Sequence, residues 1–112
     1  MRFAALLVTA PLFLQAPLLA DRAALAKARS LYNERQFEAA IEAATLAQGT
    51  PDTLDAATVV LARAHLERYR ERADPADLSA ARTALGTVRV ASLDARDRVD
   101  LLMAFGEALF FE

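Results

Sequence analysis

The sequence predicts an all-α protein of antiparallel helix-turn-helix units, on three observations. Apolar residues return at three- and four-residue spacings through most of residues 21–112, the period of one helix face. Turn formers stand between these stretches, with Gly49 before Pro51 and Asp74 before Pro75. The pattern also recurs: a shift of 34 residues lays Ala28 over Ala62, Leu31 over His65 and Tyr32 over Leu66. A fixed period of that length is the mark of stacked supersecondary units.

Composition narrows the function classes. With 112 residues, 55% hydrophobic and 25% charged, and a net charge of -2, the chain suits one small globular unit. It carries neither the basic excess of a nucleic-acid binder nor an acidic disordered tail. Cysteine is absent, which excludes disulfides, thiolate nucleophiles and Cys-ligated zinc.

Residues 1–20, "MRFAALLVTAPLFLQAPLLA", read as an export signal: Arg2 is the charged start, Phe3 to Leu14 the apolar run, and Ala20 the small residue before "DRAALAKA". Folding is therefore expected from Asp21 onward, in the periplasm or outside the cell. Retained, the same segment would tether the protein to a membrane, but Pro11, Gln15 and Pro17 interrupt it and leave it short of the roughly 20 apolar residues a spanning helix needs.

Five helices follow in order. Leu25, Ala28, Leu31 and Tyr32 form the apolar face of the first, and Phe37, Ala40, Ile41, Ala44 and Ala47 that of the second. Gly49 sits where a C-terminal cap belongs. The third face comprises Leu54, Leu61, Ala62, His65, Leu66 and Tyr69, and the fourth Leu78, Ala81, Leu85 and Val88. Pro51 and Pro75 fall at first-turn positions, and Asp74 with Asp77 has the spacing of a capping box. The fifth face is Val99, Leu102, Gly106 and Leu109.

The segment "ARSLYNERQFEAAIEAATLA" resembles a tetratricopeptide repeat. Ala28, Ala40 and Ala47 occupy the small-residue positions where paired helices approach closely, with Leu31 and Phe37 at the large ones. Phe37 is the expected wedge between nested helices. A second unit, resembling the first through Leu61, Ala62, Leu78, Ala81, Leu85 and Val88, is stretched around "YRERADP" and again before the fifth helix. "LLMAFGEALFF" is similar to the first helix of a third unit. The resemblance implies a tetratricopeptide-like α-solenoid of about two and a half repeats over residues 21–112. Ala24 and Lys27 depart from it by replacing large residues, and Arg35 by standing where glycine is usual.

The fifth helix also carries Leu101, Phe105 and Ala108 beside its main stripe, with polar edges at Asp100 and Glu107. Such a helix expects neighbours on most sides. An uncapped array ending at "ALFFE" reads as the start of a longer protein, or as an end that docks onto something else. Self-association through Phe105, Phe110 and Phe111 is expected.

Residues with catalytic potential have structural explanations. His65 is the lone histidine, on an inner face between Leu61 and Tyr69, and reads as a satisfied core residue. Asp94, Asp97 and Asp100 lack the glycine and spacing of a calcium loop and read as first-turn acids favoured by the helix dipole. Glu34, Glu38 and Glu42 share one solvated face. The arginines of "ERYRER" suit the exposed carbonyls of a helix end or an anionic partner. No catalytic residue, cofactor or metal is expected.

The resemblance places a ligand along the first helix of each unit. It implies Arg22, Leu25, Arg29, Tyr32 and Asn33 in unit one, Val59, Val60, Arg63, Leu66 and Glu67 in unit two, and Met103, Glu107, Phe110 and Phe111 in the partial third. Arg29, Tyr32, Asn33, Val59, Arg63, Leu66 and Glu67 are the candidate peptide-binding groove. Arg29 and Arg63 lie one repeat apart, while Leu25 and Val59 stand where chaperone-binding members hold a carboxylate clamp. The expectation is a non-enzymatic scaffold or adaptor binding an extended or amphipathic segment with an acidic group, and no nucleic acid. The alternatives are the recognition arm of a larger exported enzyme whose catalytic part lies beyond residue 112, and a membrane-tethered structural module.

Overall fold

Short turns at 34–36, 48–50 and 73–74 reverse the chain between helices, so consecutive helices run antiparallel. The computed structural model describes residues 10–112, with side chains from residue 16. Its helices are α1 (Ala10–Asn33), α2 (Phe37–Ala47), α3 (Pro51–Arg72), α4 (Pro75–Leu85) and α5 (Ala95–Phe110), with a 3-10 turn at Val90–Ser92. No strand occurs among the described residues. α1 packs on α2 and α3, α3 also on α2, α4 and α5, and α5 on α4.

α3 is the hub. Ala57, Val60 and Ala64 face α1 and α2, joining Leu25, Ala28, Ala44 and Ala47 in one cluster and Phe37 with Ala40 in another. Val59, Ala62 and Leu66 face α4 and α5, where Leu78, Ala81, Leu85, Leu101, Ala104 and Ala108 complete a second core. The alanines of α2 are nearly all buried, so its backbone lies close to its neighbours. Phe37, 5% exposed, stacks edge-on against Tyr32 with ring centroids 5.5 Å apart, filling the space where α1, α2 and α3 meet.

Helix ends depart from expectation. Gly49 does not take a left-handed cap conformation, because α2 ends through Gln48 at φ -78. Its smallness serves a close approach instead: a Cβ there would lie 2.8 Å from an Asp21 carboxylate oxygen. The left-handed residues are Arg35 (φ 62) and Ala73 (φ 53). Arg35, at a position where the resemblance leads one to expect glycine, adopts the glycine-type conformation and closes α1 with paired bonds from its own amide to Tyr32 O and from Gln36 N to Leu31 O, 3.0 and 2.9 Å.

Asp74 caps α4 by accepting from Ala76 N at 3.0 Å, but Asp77 forms no reciprocal capping box. Its carboxylate is 3% exposed and turns to α3, with Arg68 Nη2 and His65 Nδ1 each 2.8 Å from Oδ1. The arginines of "ERYRER" likewise tie elements together instead of capping α3: Arg68 reaches Asp77 of α4, Arg70 Glu107 of α5, and Arg72 Glu38 of α2. Asp55 of α3, also buried, accepts Arg89 N (3.2 Å), Arg89 Nε (3.0 Å) and Ser92 Oγ (2.6 Å), anchoring the long turn before α5.

One expectation on packing, in α5, is corrected. α1 runs without a break across residues 20 and 21, so Asp21 lies within a helix. The remainder of the 1–20 segment, residues 1–9, lies outside the described residues. In α5 the buried face is Asp97, Leu101, Ala104 and Ala108, whereas the expected stripe is exposed: Val99 55%, Leu102 69%, Leu109 65%. Both faces satisfy a helical period, but small Ala104 and Ala108 allow α5 to lie close to α3 and α4. No helix of the described residues is long and apolar enough to cross a membrane.

Candidate protein-binding face

The odd-numbered helices α1, α3 and α5 share one face, with α3 in the middle. Arg29, Tyr32, Asn33, Val60, Arg63, Arg96 and Asp100 line a recess there of about 20 Å³, room for about one water molecule. Acids of α5 close it. Arg29 Nη2 lies 3.1 and 3.0 Å from the two oxygens of Asp97, and Arg63 Nη1 lies 3.3 Å from Asp100 Oδ1. The Arg63 guanidinium also sits 4.5 Å above the Tyr32 ring centroid, a cation–π contact.

This geometry sorts the sequence-derived residues. Arg29, Tyr32, Asn33 and Arg63 come together at the recess. Glu67 lies further along α3, where its charge acts on Glu107 of α5. Val59 and Leu66 do not reach this face and are corrected to core residues, 1% and 0% exposed. Their i, i+7 spacing puts them on the side of α3 that α4 and α5 cover. Of the third-unit positions, Met103 and Phe110 point outward, 59% and 79% exposed. Phe111 folds against Tyr69 and Arg70, at 4.9 and 5.5 Å, and so is not a free contact for self-association.

Three groups on this face, Tyr32, Asp97 and Glu107, are all raised above their ordinary values. Burial pushes the Asp97 carboxyl above its ordinary range, and the Arg29 guanidinium only partly offsets it. Glu107 is raised by burial and then by the Glu67 charge beside it, with Arg70 pulling the other way. Burial raises the Tyr32 hydroxyl against the lowering effect of Arg63. Elsewhere Asp77 is lowered: burial opposes ionisation, but hydrogen bonds from Arg68 and His65 outweigh it.

Sequence reasoning missed Arg96, Asp97 and Asp100 as parts of this face. The available signal was the pairing of two arginines one repeat apart with acids at the start of the next repeat. Among the described residues no group of three His, Cys, Asp or Glu side chains converges to hold a metal ion.

No family model, curated protein or solved structure matches the chain.

Proposed function

We propose that the chain is a non-catalytic protein- or peptide-binding module of an exported tetratricopeptide-type protein, a scaffold or adaptor that uses the face of α1, α3 and α5. Residues 1–20 are its export leader under this reading. The observation that supports it is the convergence of Tyr32, Asn33, Arg63 and Arg96 from three separate helices on one shallow recess. A ligand lies across such a surface, contacting backbone and side chains of successive units, rather than entering it. Arg29 and Arg63 are occupied by Asp97 and Asp100, which leaves exposed Arg96, without an acid partner among the described residues, to meet an acidic group.

Selection of extended peptides from a displayed random library tests the proposal. Peptides carrying an acidic residue are expected, and Arg96→Glu with Asn33→Ala should weaken them by about tenfold, with added salt reproducing part of the loss. Peptides that bind the double variant at full affinity would place the ligand elsewhere.

A further inference from the structure

Outside the recess, the largest feature that packing leaves unexplained is the outer face of α5. Val99, Leu102, Met103, Leu109 and Phe110 stand at i, i+3, i+4, i+10 and i+11, each 55–79% exposed, and Gly106 lies at their centre. A side chain at Gly106 would have nothing within 4 Å. The opposite side of the helix carries buried Leu101, Ala104 and Ala108, so α5 is apolar on both sides and covered on one.

We infer that this stripe pairs with the same stripe of a second copy of the chain, the two α5 helices crossing antiparallel about a twofold axis level with Ala104 and Phe105. Three properties of the stripe support this occupant. It is self-complementary in register: reversal about that level sets Val99 against Phe110 of the second copy, and Leu102 and Met103 over its Gly106, where the absent side chain leaves a hole for them. The rim is complementary in charge, because Arg98, exposed and without an acid partner among the described residues, comes opposite Glu112 of the second copy. The Glu112 carboxylate meets Arg82 of its own chain at 3.8 Å. Area also suffices. At about 150–250 Å² per large side chain, the exposed fractions amount to roughly 600 Å² per copy. Covered in full on both copies that is roughly 1,200 Å², the lower limit of a specific interface, and each copy's share lies at the top of the range a monomer displays.

The pairing is separate from the peptide-binding proposal, since none of the stripe residues lines the recess. Sedimentation of the full chain across the micromolar range should show a monomer–dimer equilibrium. Leu102→Lys should weaken it by at least about tenfold, while Leu46→Lys, at a residue equally exposed on α2, should not. Arg98→Glu should weaken it too, and adding Glu112→Arg should restore it.

The native chain has no cysteine, so introduced thiols report the orientation. Copies carrying Val99→Cys mixed with copies carrying Phe110→Cys should form a disulfide-linked pair under mild oxidation. Val99→Cys alone should not, because eleven residues at about 1.5 Å each separate the two sites along an antiparallel pair. A monomer at every concentration, association untouched by Leu102→Lys, or ready cross-linking of Val99→Cys with itself would each overturn the inference.

Discussion

Arg29 of α1 and Asp97 of α5 are 68 residues apart in sequence, yet Arg29 Nη2 approaches both Asp97 carboxylate oxygens. One helix further along the face, Arg63 of α3 meets Asp100 in the same way. Two arginines 34 residues apart in sequence thus read two acids three residues apart on a single helix. The pairs hold α5 against α1 and α3, and so give side chains with the spacing of a ligand site a structural task.

Arg29→Ala is therefore expected to act on stability. Asp97, 7% exposed, would be left without a counter-charge, at a cost of about 1–2 kcal/mol after allowing for the partial exposure of Arg29. For a domain of this size that lowers Tm by roughly 5–15 °C. The Asp97 carboxyl is already raised by burial, so its neutral form suits the fold and the penalty should shrink as the pH is lowered. Thermal melts of both proteins at neutral and acid pH check this, and an unchanged Tm would return Arg29 to the role of a free ligand contact.

Asp77 should behave with the opposite sign. Its folded carboxyl titrates below the ordinary value, so the stability it supplies is present above an unfolded value of about 3.9 and is lost as the pH falls through the folded one. Asp77→Asn should cost on the order of 2–3 kcal/mol at neutral pH, because Arg68 and His65 lose a buried anion. Urea denaturation at descending pH should show the two proteins converging in acid.

Ala73 ends α3 at φ 53, a conformation that costs a residue with a Cβ roughly 1–2 kcal/mol. Ala73→Gly should stabilise the protein by about 0.5–1 kcal/mol, the gain being reduced by the greater freedom of glycine in the unfolded chain. Arg35→Gly should gain less, since it also removes the ion pair with Glu71 at 3.6 Å and the contact with the Phe37 ring. Urea midpoints of the two variants rank the effects.

Leu66 and Leu102 exchange the places suggested by the repeat. Leu66→Ala, at 0% exposure, should destabilise by about 3 kcal/mol. Leu102→Ala, at 69% exposure, should stay within about 0.5 kcal/mol of wild type when measured at concentrations where the chain is monomeric. Equal losses would mean that α5 is covered in the monomer.

Five helices were legible because their evidence is local: the 3–4 spacing of apolar residues, prolines in first turns, and Asp74 before a helix it does cap. The burial of Phe37 with Ala40 was legible for the same reason, whereas the contact with Ala64 of α3 was not. In the candidate site, Arg29, Tyr32, Asn33 and Arg63 do meet at one recess, but a shift of 34 residues does not return every position to one face, since Leu66, the counterpart of Tyr32, is in the core. Tertiary structure decided the rest. Whether Val59 and Leu66 face a ligand or a core depends on which sides of α3 its neighbours take, and α3 is surrounded by four helices. Whether α5 buries Leu101 or Leu102 depends on which stripe approaches closest, and small Ala104 and Ala108 permit the nearer fit. Whether Asp77 caps a helix or bonds to His65 and Arg68, and whether Arg29 awaits a ligand or holds Asp97, are questions of long-range polar pairing. A linear period determines which residues share a helix face, and only the meeting of faces distant in sequence determines what each one touches.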